Sequence, residues 1–252
     1  MVIAIAVSPA DVAWRRYDCW ECCVSGMTML NSTVPCTSDP ESHAAMRGVL
    51  PMIDAQDSGA PGFSKAGHWD YSAPGGWNHL DQLAVCLPET WQGPGLTVVE
   101  QHSHFGLWAI LASPLLLAFD VRQHAAGSAC IEMVTNERVL SISQDPLGVG
   151  GKRLKNLNVD ALTGRPLTQL WARELSGQRV AILLLNRGET IADITVALAE
   201  MGISGDSAMV TNAWTGDAYN VTKSVVARAV PSHGSLLAIV SAGFVRNGSV
   251  QY

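Results

Sequence analysis

Apolar residues follow more than one rhythm along this chain. From Thr97 to about Ala112 they fall at helical spacing, and Thr97 with Glu100 makes a capping box at the start. The second half of that stretch, "FGLWAILA", is apolar all round, which predicts a helix buried on most sides. Ser113-Pro114 stops it. "LLLAF" follows as a continuous apolar run, predicting a buried strand that ends at Asp120. "SACIEMVTNERVLSISQDPLG" predicts a helix, a short strand and a turn. After about residue 150 the rhythm becomes that of strands. "LTQLWARE", "RVAILLLN", "ETIADITVAL", "AMVTNAW" and "GSLLAIVS" are separated by turn residues, with no strong helix between them. Strands grouped in this way predict an antiparallel sandwich.

Upstream, residues 2–7 ("VIAIAV") fit a short buried strand, and "VAWRRYD" ends in a carboxylate. Residues 38–50 read as a helix with a Ser38–Glu41 capping box and Pro40 in its first turn. Residues 57–79 hold seven glycines and prolines and predict a long loop of the kind that is usually functional or mobile. Apolar strands that end in acids, "RRYD" and "LLLAFD", are the pattern of a (β/α)8 barrel, whose active site sits at the C-terminal ends of its strands. A whole barrel takes about 250 residues, and about 150 precede the β part. The predicted fold is therefore α/β plus all-β: a partial (β/α)8 barrel of TIM type over residues 1–155, then an antiparallel C-terminal β-sandwich over residues 156–245.

Composition narrows the function classes. Of 252 residues, 48% are hydrophobic and 15% charged, which excludes a disordered chain. The net charge is -6, and no basic cluster is longer than Arg15-Arg16, so nucleic acid is not an expected partner. No run reaches the ~18 apolar residues of a membrane helix. The opening "MVIAIAVSPADVAW" lacks a basic n-region and is not read as a signal peptide. Six cysteines and three sequons (at Asn31, Asn220 and Asn247) lean towards an oxidising, glycosylating route, secreted or lysosome/vacuole-like. They do not set the disulfide pairing. Eight tryptophans against four phenylalanines suit the stacking of pyranose rings, although filling a core is the plainer account of each.

Three motifs in order carry a resemblance. "APGGWNHLDQL", "VEQHSHFGLWAILASPLLLAFDVR" and "NERVLSISQDPLG" resemble the G-P-G-G-W-N-D-P-D-M-L loop, the following helix and strand, and the "NKEVIAINQDPLG" segment of glycoside hydrolase family 27, the α-galactosidases. "LWARELSGQRVAILLLNRG" is similar to the family's "VWAGPLSGGRVAVVLLNRS". Upstream, "DVAWRRYDCWEC" resembles "GVDYLKYDNC".

The resemblance implies hydrolysis of terminal α-linked galactosides by retention, on a carbohydrate substrate and with no cofactor or metal. It puts Asp18 in the place of the nucleophile and Arg16 in that of a substrate-binding lysine. Asp81 matches the second acid of the loop, close to the sugar, and is read as substrate-binding or as a cap of its turn. Trp77 has the family identity and is read as lining the site or bracing the loop. His79 replaces the loop's first acid.

A retaining glycosidase uses two carboxyl groups ~5–5.5 Å apart, one as nucleophile and one as acid/base. The segment that supplies the acid/base in the family, R-T-x-G-D-I or its equivalent, has no counterpart between "MRGVL" and the glycine loop. Neither do the paired aspartates and the tryptophan of the first barrel strands. No acid/base residue is assigned. Asp54, Asp57 and Asp70 lie near the gap, and nothing in the sequence selects one. The alternative to an enzyme is a non-catalytic, degenerate or truncated homologue that at most binds carbohydrate.

Three other groups have plainer readings. Cys19 and Cys22 have redox or zinc spacing but no second pair, so a disulfide or a core thiol is favoured. His102 and His104, two apart on a helix, do not face each other and do not suit a shared metal. Asp120 and Arg122 are read as structural.

Overall fold

The computed structural model describes residues 49–50, 53–54, 72–80, 82–87 and 95–242. The strand expected at 2–7, the capped start of the 38–50 helix and residues 57–71 of the loop lie outside these. Residues 49–50 and 53–54 are helical.

Helix α1, Val98–Ile110, forms as its sequence predicts. The Thr97 side chain accepts from the Glu100 amide, and the Glu100 carboxylate accepts from the Thr97 amide at 2.8 Å. Every residue from Ser103 to Ile110 is buried. Two short helices follow, α2 at Ala129–Val134 and α3 at Glu137–Ser143. The short strand expected in "NERVLSIS" is therefore a helix. The Asn136 side chain accepts from the amides of Arg138 and Val139, and Val139, Leu140 and Ile142 fall on the buried side at helical spacing. "LLLAF" also departs from expectation. Among the described residues it makes one parallel bridge, Leu83 with Leu117. Leu115 is buried while Leu116 is 38% exposed, so the run is half-solvated rather than a covered strand.

Eight strands build the rest: β1 Lys152–Val159, β2 Pro166–Leu175, β3 Arg179–Asn186, β4 Ala192–Ala197, β5 Ser207–Asn212, β6 Ala218–Thr222, β7 Ser224–Val230 and β8 Ser235–Ala242. Six form one sheet in the order β1-β2-β3-β8-β5-β6, and β4 pairs with β7 in a second. Every pairing between these strands is antiparallel. The sequence pattern missed β1, β6 and β7. β1 ("KRLKNLNV") and β6 ("AYNVT") bury few residues, because each ends the large sheet. They carry little of the alternation that marks a half-buried strand.

The large sheet is covered on both faces where β2, β3 and β8 lie, which explains the unbroken apolar runs "LWA" and "VAILLL". Leu170 and Ala172 of β2, Ile182 and Leu184 of β3, and Ala238 and Val240 of β8 face the small sheet. There they meet Ile194, Val196, Val225 and Ala227. The alternate residues Trp171, Ala181, Leu183, Leu185 and Leu237 face the other way and join Phe105, Leu107 and Trp108 of α1. The sheet is thus the shared wall of two cores. At the closest approach α1 presents Gly106, where a Cβ would lie 2.9 Å from a methyl of Leu183.

Candidate active site

The glycine loop is held from below. Ala73 and Gly76 close a tight turn with two backbone hydrogen bonds of 2.9 Å, and Gly75 supplies a φ of +99°. The Trp77 indole N–H donates to the Gly148 carbonyl at 2.6 Å. A Cβ on Gly148 would lie 2.9 Å from the Pro74 ring, so the two turns are in contact through a glycine at φ +64°. Next to it the Gly150 amide donates to the carbonyl of buried Ser72 at 3.2 Å. The "APGGW" loop and the "QDPLG" turn, 71 residues apart at Trp77 and Gly148, are one assembly. Trp77 braces the loop with its polar edge, and its ring is half-buried.

The turn is fastened in its own right to the sandwich. Asp145, with a side chain only 1% exposed, accepts from the Ser176 amide and hydroxyl at 2.9 Å each and from the Leu147 amide at 3.1 Å. Arg179 adds an ion pair at 3.4 Å. Burial alone would push this carboxyl up, yet the hydrogen bonds from Ser176 and Leu147 and the Arg179 charge hold it below its ordinary value. Buried Arg173 lies close by. One of its terminal nitrogens donates to the carbonyls of Ala109 and Ser143, at the C-terminal ends of α1 and α3. A cation there offsets the helix dipoles. Burial brings its pKa down to about 10, against the pull of Asp145, so it stays charged at neutral pH. Gly151 completes the seam: its amide donates to Ile110, and a Cβ would come within 2.5 Å of that carbonyl and 2.7 Å of that of Ala172.

Among the expected site residues, Trp77 is in place on this loop. Asp18, Arg16 and Asp81 lie outside the described residues, as do Asp57, Asp70, Cys19 and Cys22. Asp54 is described, and it is engaged by two cations. Arg187 grips it with both terminal nitrogens, at 2.6 and 2.8 Å, and Arg153 stands 3.7 Å away. The pair is a tie between helical residue 54 and the end of β3.

The histidines are separate, as their spacing predicts. His102 stacks on Trp214 at 4.4 Å, and His104 meets the edge of Trp108 at 4.1 Å. Burial lowers both pKa values, that of fully buried His104 to about 3. Asp120 pairs with Arg122 at 2.7 Å and caps the turn Val121–Gln123, a local structural role. Cys86 is bonded to Cys130, which ties the segment after the glycine loop to α2. Spacing gave no sign of that pairing. Among the described residues no three His, Cys, Asp or Glu side chains are placed to hold a metal ion, and no helix is long and apolar enough to cross a membrane.

Comparison with known proteins covers the same two regions. Residues 64–145 match the family described as alpha galactosidase A, and residues 167–240 match the alpha galactosidase C-terminal beta sandwich domain. Alpha-galactosidase 2 of Arabidopsis thaliana is 34% identical over 164 residues, which is 65% of this chain and 37% of that protein. The alpha-galactosidase of Cyamopsis tetragonoloba is 30% identical over 172 residues, 68% of this chain and 38% of the other. The chain thus spans little more than a third of the length of these relatives. Among solved structures, alpha-galactosidase I from Mortierella vinacea aligns with a TM-score of 0.67 at 22% identity, over 86% of this chain and 51% of that one. The Saccharomyces cerevisiae alpha-galactosidase solved with raffinose aligns with a TM-score of 0.63 at 18% identity, over 87% and 58%. These two likenesses are of fold.

Proposed function

The chain is α-galactosidase-like, a partial counterpart of glycoside hydrolase family 27, and from that premise we propose that it engages terminal α-linked galactosides by the retaining chemistry of that family. Asp18 is the proposed nucleophile, attacking the anomeric carbon to form a glycosyl-enzyme. Arg16 beside it favours the ionised form of that carboxylate. Asp81 binds the sugar from the glycine loop, and Trp77 positions that loop while offering its half-buried ring to the same side.

The observation that carries this reading is the clamp between loop and turn. Trp77, Pro74 and Gly148 hold "APGGW" against "QDPLG". The sugar-side loop therefore has a rigid support, which is what a binding constellation needs to keep its geometry. The partial barrel belongs to the same proposal. Leu83 donates to Leu116 at 2.7 Å and accepts from Ala118 at 3.3 Å, a parallel pairing beside an antiparallel sandwich. Parallel neighbours of this kind suit two adjacent barrel strands. We draw the division between the two parts at about residue 155, with β1 crossing it to become the sandwich's edge strand.

No residue is assigned as acid/base. General acid–base assistance is typically worth 10²–10⁴-fold, so the proposed activity is confined to substrates whose leaving group departs without a proton. That same gap favours a second reading, a non-catalytic homologue that binds carbohydrate.

Hydrolysis of an aryl α-galactoside by the purified chain and by Asp18→Ala separates the two. Release of phenol well above background that Asp18→Ala abolishes, with little turnover of natural galactosides, supports the nucleophile. Equal background rates for both proteins remove catalysis and leave binding alone.

A further inference from the structure

The sandwich carries an asparagine that its packing does not use. The other described asparagines of the strands and turns nearby have structural tasks. Asn186 donates to the carbonyls of Thr190, Val230 and Pro231, while Asn212 accepts from the Trp214 and Thr215 amides. Asn158 donates to Thr168, and Asn156 accepts from Gln169. Asn220 makes no side-chain hydrogen bond among the described residues and is exposed. It sits in β6, the last strand of the six-stranded sheet.

Its direction follows from the register. Val221 packs against the core between the two sheets, so its neighbours Asn220 and Thr222 point to the opposite face. That face is open here. Asn220 pairs across with Met209, which is 44% exposed, and Thr222 with exposed Ser207. Helix α1 covers the same face further along, over β2, β3 and β8. Asn220-Val221-Thr222 is also a sequon, and on an extended strand its carboxamide and its hydroxyl stand on one side.

We propose that Asn220 is an N-glycosylation site. The donor is a polyisoprenyl-diphosphate-linked oligosaccharide and the catalyst a membrane oligosaccharyltransferase. The Asn220 Nδ2 atom attacks the anomeric carbon of the donor's first sugar and forms a C–N bond. The C–O bond to the diphosphate breaks, and the lipid diphosphate leaves with its electron pair. One amide proton passes to base in the transferase. In the folded protein the glycan projects from the open face of β6, the last strand of the sheet among the described residues. Sheet edges promote edge-to-edge association unless something covers them, and a bulky polar group in this place would do so.

The test is expression of the whole chain behind a secretory leader in a eukaryotic cell. The translocated pool, from medium and lysate together, is digested with peptide-N-glycosidase in ¹⁸O-water, and the peptides are mapped. Transfer to a sequon requires only translocation, so a variant that misfolds is still read. Wild type is expected to show Asn220 converted to ¹⁸O-labelled aspartate. Asn220→Gln and Thr222→Ala are each expected to lose that glycan, and Thr222→Ser to keep it. An unlabelled Asn220 peptide in a pool glycosylated at Asn31 or Asn247 overturns the proposal. So does label at Asn220 that survives Thr222→Ala.

Discussion

His104 is the described residue driven furthest from its ordinary state. It is fully buried against Trp108, and neither ring nitrogen has a hydrogen-bond partner. Burial lowers its pKa to about 3, so it is neutral wherever the protein is folded near neutrality. The folded value lies below the unfolded one. Between pH about 6.5 and 3 the unfolded chain therefore holds a proton that the folded chain refuses. Stability is full above pH ~6.5 and falls with acid by up to about 1.4 kcal/mol per pH unit. Denaturant melts from pH 7.5 to 4 should show this slope in wild type and a shallower one in His104→Phe. Asp145 works in a lower window. Its carboxyl is held below its ordinary value, so its contribution is lost only as pH falls through the carboxylate range. Gly151 gives a prediction without titration. A methyl there meets two backbone carbonyls that cannot rotate aside, and Gly151→Ala should cost about 3 kcal/mol in chemical denaturation. Gly106→Ala should be milder, since its nearest obstacle is a leucine methyl. Neither the solitary burial of His104 nor the crowding at Gly151 is visible in a string of letters. The crowding at Gly151 comes from the carbonyls of Ile110 and Ala172, which only the folded chain brings to one point.

At the level of elements, what was legible was what is encoded locally. Helix α1 carries its cap and its apolar face in consecutive residues. The strands β2, β3 and β8 carry unbroken apolar runs, "LWA", "VAILLL" and "LLAIV", because both faces of their sheet are covered. The misread elements are those whose identity depends on neighbours. "VLSIS" has β-branched residues and still winds into α3, because Asn136 caps it and Arg138 reaches the carbonyls of Ala213 and Trp214. "LLLAF" has one neighbour among the described residues, Leu83, and Leu116 is exposed. The loop–turn–sandwich seam was legible as motifs but not as a contact. Its consequence can be measured. Asp145→Ala removes the buried acceptor that holds the part-buried amides of Ser176 and Leu147, and should cost roughly 2 kcal/mol. It should also speed hydrogen exchange at Gly76 in the glycine loop, several contacts away. If exchange there stays at the wild-type rate, the turn does not support the loop.

For the molecule as a whole, several contacts bind the helical part to the sandwich, among them the seam just described and the bidentate Asp54–Arg187 pair. The Cys86–Cys130 disulfide adds a cross-link over 44 residues within the first part. Closing a loop of that size contributes on the order of 2–4 kcal/mol, so Cys86→Ser with Cys130→Ser should lower the unfolding midpoint markedly without changing the sandwich's β-sheet signature in circular dichroism. Sequence motifs identified the family over both parts, since relatives and chain share whole segments there. They assigned the nucleophile by kinship alone, because the residues around Asp18 lie outside the described structure. The proposed nucleophile, with no acid/base residue assigned beside it, has a distinct kinetic consequence: an activated galactoside would load the enzyme, and the glycosyl-enzyme would then turn over slowly. The most direct test is rapid mixing of the chain with an aryl α-galactoside, followed by mass analysis of the peptide that contains Asp18. The predicted result is a burst of phenol close to one equivalent, a slow steady state, and one hexosyl group on Asp18. No burst, and an Asp18 peptide of unchanged mass at saturating substrate, would contradict it.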